Sequence, residues 1–360
     1  MDCAHIPEIN YSDFGQRIKQ KVTKERIPVS GSLELNFRCN LSCQHCYVSH
    51  GHTGIPGKTE LTTSEIHRIM DEVVDAGCLW FLITGGEPLI RRDFLEIYTY
   101  AKRKGLLVSI FTNGTMITER TADYLADWRP FKVEITLHGY TQKTYEKITG
   151  IPGSHSRCMR GIELLMERKI PLRLKTMLMT LNQHEIQDMQ DFAESLDIEF
   201  KYDGMLNAGV NGSGDPIALR IPPESIIQFD KSDPKRIKAL QLFTEMMDGY
   251  SNERNSLYAC GAGMDSFHID PYGQLSLCMM TREPSYDLRK GSFIDGWENF
   301  LGDLRYQQAE EDYACNQCKL LPLCGQCPGW AMMEHGDPQK PVEYLCHIAH
   351  LRAELLQLEG

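Results

Sequence analysis

The sequence predicts an α/β fold: a partial (β/α)6 barrel of the TIM type followed by a cysteine-rich extension. Three observations carry this reading. From residue 31 to about 203, short β-branched runs alternate with amphipathic helical runs. The polar and thiol side chains of that stretch collect just after the β runs. Of the 13 cysteines, seven fall after residue 257, where hydrophobic periodicity weakens.

The β runs are Leu33–Phe37, Leu79–Thr84, Leu106–Thr112, Lys132–Leu137, Leu172–Thr180 and Ile198–Tyr202. Between the first two, Thr62-x-x-Glu65 reads as a capping box, with Ile66, Ile69, Met70, Val73 and Val74 on one face and Gly77 closing the helix. Gly105 ends the next helix after a lysine-rich last turn that suits the helix dipole. Strands separated by helices need crossover connections and so pair in parallel. Six units fall short of the roughly eight that close a barrel, hence an open one. Residues 1–30 form an N-terminal segment, 31–222 the barrel, 223–257 a helical bridge and 258–360 the cysteine-rich domain.

A net charge of -11 excludes a strong basic field for phosphates, so no nucleic-acid or membrane-surface partner is expected. The N-terminus MDCAHIPEIN lacks a basic run followed by an apolar one, and no long apolar window occurs, so a cytoplasmic location is expected. Thirteen cysteines in such a chain point to metal or redox chemistry rather than disulfides.

Those cysteines begin in the loop after the first β run. Cys39-x3-Cys43-x2-Cys46 offers three thiolates. A [4Fe-4S] cluster held by three ligands keeps one iron open to an external chelator. Zinc is the alternative, with His45, His50 or His52 as fourth ligand. The second β run leads into Gly85-Gly86-Glu87-Pro88, two residues without a Cβ and then an acceptor suited to an ammonium group. The third leads into Thr112-Asn113-Gly114, and the fourth ends at Thr136 and His138. In a parallel barrel these strand ends share one rim, where active sites are built.

CxxxCxxC followed by GGEP, each after a parallel strand, resembles the radical S-adenosylmethionine superfamily over residues 31–220. The resemblance implies a [4Fe-4S] cluster on Cys39, Cys43 and Cys46 that reductively cleaves S-adenosylmethionine, giving a 5′-deoxyadenosyl radical that takes hydrogen from a substrate. It implies cofactor contacts from His45, beside the third cysteine, and from Gly85, Gly86, Glu87, Pro88, Asn113 and Thr136. Relatives often carry Arg where this chain has Thr149 in KITGIPGS, and Lys147 is the substitute partner for the cofactor carboxylate.

The later cysteines run Cys260-x12-Gly273-x4-Cys278, then Cys315-x2-Cys318-x5-Cys324-x2-Cys327, then Cys346. This region resembles the seven-cysteine SPASM extension, which carries two auxiliary [4Fe-4S] clusters, although the usual last pair is spaced CxxxC. The resemblance implies Cys260, Cys278 and Cys327 on the nearer cluster, and Cys315, Cys318, Cys324 and Cys346 on the farther one. Zinc knuckles are the alternative. Cys78 and Cys158 read as buried small hydrophobes, and Cys3 stands apart. Lys175 and Asp203 either face substrate or pair with a neighbour.

Proteins with this extension mostly modify ribosomally made peptides, so a peptide or protein substrate is expected. With some thirty residues before the first β run, leader recognition falls to a small separate partner protein. A flavodoxin or ferredoxin is the expected reductant. The alternatives are a radical enzyme acting on a tetrapyrrole, sugar or nucleotide derivative, which a basic lining would favour, and a non-catalytic iron–sulfur or zinc scaffold.

Overall fold

A computed structural model describes residues 11–48, 57–248 and 256–358, which leaves Cys3, His50 and His52 outside the described residues. All six expected strands form: β1 (Ser30–Glu34), β2 (Trp80–Thr84), β3 (Leu107–Thr112), β4 (Lys132–Thr136), β5 (Leu172–Met177) and β6 (Glu199–Asp203). Each pairs in parallel with the next. Three more strands come from the cysteine-rich region: β7 (Ser266–Ile269), β8 (Gln274–Ser276) and β9 (Tyr286–Asp287). β7 pairs in parallel with β1, and β8 and β9 follow as an antiparallel meander. The result is one open nine-stranded sheet, ordered β6-β5-β4-β3-β2-β1-β7-β8-β9. The sheet thus runs through the expected boundary at residue 258.

β1 lies three residues before the expected Leu33–Phe37. Ser30, Gly31 and Ser32 carry little β propensity, so pattern alone passes over them. Gly31 is required because the Phe267 ring of β7 fills the space where a Cβ would sit. Leu35 N–H still donates to Thr84 O at 2.9 Å, and the chain then continues toward the cysteine loop.

Period-two burial separates the two faces of the sheet. Leu33, Ile83, Ile110, Ile135 and Leu174 are fully buried against the helices. Opposite them, Ser32, Leu82, Ser109, Phe111, Thr136 and Lys175 line the inner face and are only partly buried. Helix α1 (Tyr11–Glu25) precedes the barrel, and Tyr11 packs on Phe131 at 5.1 Å between ring centroids and bonds Trp80. Helix α2 (Thr63–Asp75) starts at the expected capping box: Thr62 Oγ1 accepts from Glu65 N–H at 3.2 Å, and Thr62 N–H donates to Glu65 at 2.7 Å. Its Ile66, Ile69, Met70 and Val73 are buried, Val74 only partly. Helices α3 (Phe94–Arg103), α4 (Glu119–Asp127), α5 (Gln142–Thr149), α6 (Ser154–Glu167) and α7 (Ile186–Ser195) complete the outer layer. The bridge forms α8 (Pro223–Ser232) and α9 (Pro234–Asp248), and Asp230 ties both to the last helix through Arg236 at 2.7 Å and Arg352 at 2.9 Å.

The extension is joined to the barrel by buried charge. Glu34 of β1 is fully buried and accepts two bonds from Arg282, at 2.7 and 3.0 Å. His268 Nε2 of β7 lies 3.2 Å from the same carboxylate, and its Nδ1 lies 2.9 Å from Ser32 Oγ. Burial alone would raise the Glu34 carboxyl, but His268 and Arg282 outweigh it and hold it at about 2, below its ordinary 4.5. On the outside, Arg26 donates to Gly263 O at 2.8 Å and lies 4.5 Å from the Trp297 ring.

A depressed carboxylate stabilises the fold above its unfolded pKa, and that stability is lost as pH falls through the folded value. Glu34→Gln is therefore expected to cost about 3 kcal/mol at neutral pH, the usual loss when a buried pair is broken. It should also flatten the decline in stability between pH 4.5 and about 2. Urea unfolding of the metal-free polypeptide across that range measures both effects. An unchanged acid limb would show that another group controls it.

Candidate functional site

The cysteine loop sits at the C-terminal rim of the strands and is held from two sides. On one side, the backbone of α5 accepts its amides: Ser42 N–H reaches Thr149 O at 2.8 Å and Gln44 N–H reaches Ile148 O at 3.0 Å. The Gln44 side chain donates to Lys147 O at 2.7 Å. On the other side, Gly86 N–H donates to Asn36 O and Glu87 N–H to Arg38 O, each at 2.8 Å. A Cβ on Gly85 would collide with Asn36 O, and one on Gly86 with Arg38 O. Gly85 has φ +139, a conformation that L side chains rarely adopt. The glycines thus admit the close approach of the chain's own backbone on the side of the cysteine loop.

Glu87 follows in the same turn. Its carboxylate is fully buried and accepts from Thr112 Oγ1 at 2.8 Å, Asn113 N–H at 2.8 Å and Leu89 N–H at 3.1 Å. Burial raises its pKa to about 7 against those bonds. The group ties the β2 turn to the end of β3. Pro88 follows it as the buried first residue of a short 3-10 turn.

Asn113 is drawn into the same brace. Its amide donates to Asn40 Oδ1 at 2.9 Å and lies 3.7 Å from Cys39 Sγ, while its Oδ1 accepts from Thr115. Asn40 in turn donates to Thr115 Oγ1 at 2.7 Å. Asn36, Asn40 and Thr115 escaped the sequence reading, since single polar residues inside loops carry no periodic signal.

Around the thiols, Cys39 Sγ accepts from Leu41 N–H at 3.4 Å, and Cys46 Sγ donates to Val48 O at 3.5 Å. Cys43 Sγ lies 3.6 Å from His138 Nε2. The His138 ring meets His45 edge-on at 5.0 Å and Tyr145 at 5.6 Å. Burial pushes the His45 pKa down to about 4, and burial with the charge of His45 also lowers that of His138. Thr136 is half-buried on the inner face of β4. Lys147 is exposed, and its link to the loop is the backbone carbonyl. Thr149 is fully buried and bonds Ser154 at 2.8 Å.

The later thiols gather as two sets. Burial first, then charges on Cys278 and Cys260, raise the pKa of Cys327 to about 11, and the charges of all three thiols act on Tyr258. Charges on Cys346, Cys315 and Cys318 likewise raise Cys324, after burial, to about 12. Cys78 and Cys158 are buried in the core, as expected of small hydrophobes.

The first thiol set suits a multi-iron group. Burial first, then the charges of its neighbours, raise Cys39 to about 11 and Cys43 further still, so a cation among them would stabilise the thiolates. Among the described residues, no three His, Cys, Asp or Glu converge on a point that would hold a single metal ion. A [4Fe-4S] cluster gives each of three thiolates its own iron. His45 Nδ1, His138 Nδ1 and Asn36 Oδ1 are buried near this loop without a hydrogen-bond partner, leaving bonds for a ligand to make. No helix among the described residues is long and apolar enough to cross a membrane.

Comparison with known proteins agrees with this geometry. Residues 33–196 match the model of the radical SAM superfamily. Over 326 residues the chain is 26% identical to the AdoMet-dependent heme synthase of Methanosarcina barkeri, covering 84% of this chain and 92% of that protein. It is 28% identical over 314 residues to the mycofactocin maturase MftC of Mycobacterium ulcerans, covering 83% of each. In fold it is similar to SuiB of Streptococcus suis bound to its precursor peptide SuiA, with a TM-score of 0.70 at 17% identity over 96% of this chain and 84% of that one.

Gly86→Ala forces a methyl group onto the Arg38 carbonyl and is expected to displace the cysteine loop, costing about 2 kcal/mol or more. Iron bound after anaerobic reconstitution should fall, while the far-ultraviolet spectrum stays that of the wild type. Full iron content in a folded Gly86→Ala protein would show that the loop does not depend on this contact.

Proposed function

Since the chain is a radical SAM enzyme, we propose that its rim site starts radical chemistry on a ribosomally made peptide or protein. The observation that carries this reading is the three-thiol loop braced against the Gly85-Gly86 turn. When bound, a [4Fe-4S] cluster and S-adenosylmethionine supply a 5′-deoxyadenosyl radical. Cys39, Cys43 and Cys46 would hold the cluster. Asn113 and α5 fix the position of those thiols, and Glu87 keeps the β2 turn in place. His45 Nδ1 and His138 Nδ1 are buried beside the loop without a hydrogen-bond partner. Cys260, Cys278 and Cys327 would hold one auxiliary cluster, and Cys315, Cys318, Cys324 and Cys346 the other, in keeping with the two thiol sets.

A peptide substrate is supported by the maturase MftC among the relatives and by the fold of SuiB, whose solved structure holds a precursor peptide. A flexible peptide must be ordered before a slow radical step, and binding energy applied away from the reacting residue offsets that cost. A small leader-binding partner would supply it, and a flavodoxin or ferredoxin the electrons. The cytoplasm, which keeps thiols reduced, suits these parts.

A tetrapyrrole substrate is the second reading, and a specific observation favours it. On the inner face of β4 to β6, Glu134 and Glu199 are the carboxylates paired with Lys132, Arg173, Lys175 and Lys201. With Asp203 on the same face of β6, three carboxylates answer four cations, which still leaves a net positive wall suited to acidic groups. The heme synthases match this chain over most of their length.

Anaerobic reconstitution is expected to give about three clusters, from the sets of three, three and four thiols. Replacing Cys39, Cys43 and Cys46 by Ala should remove about one and abolish 5′-deoxyadenosine formation. Stoichiometric zinc without labile sulfide in the intact protein would end this reading. Mass spectrometry of candidate peptides with and without a small co-encoded protein tests the substrate. Turnover of an iron coproporphyrin with no peptide present would transfer the assignment to the second reading.

A further inference from the structure

The first thiol loop lies directly under one patch of the outer surface. Ser42 and Gln44, which flank Cys43, are exposed, and their amides donate to the α5 carbonyls of Thr149 and Ile148 at 2.8 and 3.0 Å. A second route leads from the same thiol. His138 Nε2 lies 3.6 Å from Cys43 Sγ, the His138 ring meets Tyr145 of α5 at 5.6 Å, and Tyr145 meets His155 of α6 at 5.5 Å. His155 is partly exposed, and its Nε2 lies 2.9 Å from Tyr140 O. Both routes reach solvent at the exposed side of α5 and the first turn of α6.

That patch is basic in a chain whose net charge is -11. Lys143 and Lys147 stand one turn apart on α5, Arg157 lies on the first turn of α6, and all three are exposed. None of the three has an ion-pair partner among the described residues. Glu146, the carboxylate between the two lysines, is turned to the Gly153 amide at 2.8 Å. Farther along α6 the cation is matched, since Arg160 meets Glu119, Glu163 and Glu167 within 3.4 Å. Tyr140 adds a ring, 43% exposed, of the kind enriched at protein interfaces. Unpaired surface cations attract an acidic partner over long range and orient its approach.

We propose that this patch is the docking surface for an acidic one-electron carrier protein, which reduces the group held by Cys39, Cys43 and Cys46. The inference rests on the radical SAM reading, which requires a reductant, and adds the place where that reductant binds. One electron passes from the carrier to the thiolate-held group, and no bond forms or breaks. Electron transfer falls off steeply with distance. Docking here brings the carrier to a helix that is one hydrogen bond from the residues on either side of Cys43. At the farther thiol set the surface charge is opposite. Beside the exposed Cys318, the exposed Glu310, Glu311 and Asp312 outnumber Lys319 and would repel an acidic carrier.

The test titrates the cluster-loaded protein with an oxidised flavodoxin of acidic surface, by calorimetry at low ionic strength. Lys143→Glu combined with Arg157→Glu should weaken the complex roughly 10-fold, and added salt should close the gap to the wild type. Lys143→Gln with Arg157→Gln should weaken it less, by about 3-fold. Lys147 is left in place, because a carboxylate in the last turn of α5 would weaken the helix that braces the loop. The same reversal at Arg17 and Lys21, exposed on α1 beside the start of β2, should leave the affinity unchanged. In a second measurement, reduced flavodoxin should reduce the cluster of the Glu variant roughly 10-fold more slowly than that of the wild type. Dithionite, which needs no docking surface, should act on both at the same rate. Wild-type affinity in the folded Glu variant overturns the proposal, as does the lack of a measurable complex with the wild type. Affinity lost in Lys319→Glu instead also overturns it, by placing the carrier over the farther thiols. Equal slowing by both reductants overturns it too, since the side chains would then act on the loop. Flavodoxin binding by a wild type that takes up no cluster is a different result, which would fault the radical SAM reading itself.

Discussion

The close approach of the Gly85-Gly86 turn to the backbone of Asn36–Arg38 is the constraint on which the rim site depends. Two strand ends that are neighbours in the sheet must bring their loops within hydrogen-bond reach of each other. A single methyl group at either glycine would part them. Once the turn is seated, Glu87 falls under the end of β3 and anchors Asn113, which reaches Asn40 and Cys39 in the cysteine loop. The backbone of α5 closes the other side. Three thiols that would otherwise ride on a free loop are thus held by strands β2 and β3 and helix α5. Preorganisation of this kind lowers the entropy lost when a multi-atom group is bound.

A second constraint is electrostatic. Glu34, His268 and Arg282 bury charge between β1 and the cysteine-rich region, which is tolerable only because each group has a partner. Their geometry requires β7 to sit beside β1. Cys278 follows β8 of the same sheet whose β1 leads into the first set of thiols. The barrel and the extension therefore share a frame, with Tyr47 reaching from the residue after Cys46 to Met279, the residue after Cys278, at 3.8 Å. Arg26 and Trp297 clasp the outer edge in the same way.

The periodic elements were legible in the sequence because burial on one face leaves a repeating pattern. The capping box at Thr62 and Glu65 was equally legible, since its partners lie three residues apart. β1 starts three residues before the pattern indicates because Gly31 and Ser32 are held by contact with Phe267, more than 200 residues away. The extension of the sheet by β7 to β9 left no local trace for a similar reason: short strands read as loops until a partner edge is present.

Sequence by itself determined the chemistry of the site: three thiols at a spacing suited to an open cluster, two glycines after a strand, and seven later cysteines in the order of an auxiliary domain. Those are statements about covalent composition and short-range spacing, which need no fold to be read. Tertiary structure decided which way each group faces. Glu87 and Asn113 turned inward to brace the loop, Lys147 turned out to solvent, and Lys175 faced the rim beside Thr136. The physical reason is that direction depends on strand register and on which neighbours compete for each hydrogen bond. Both are set by residues far apart in the chain.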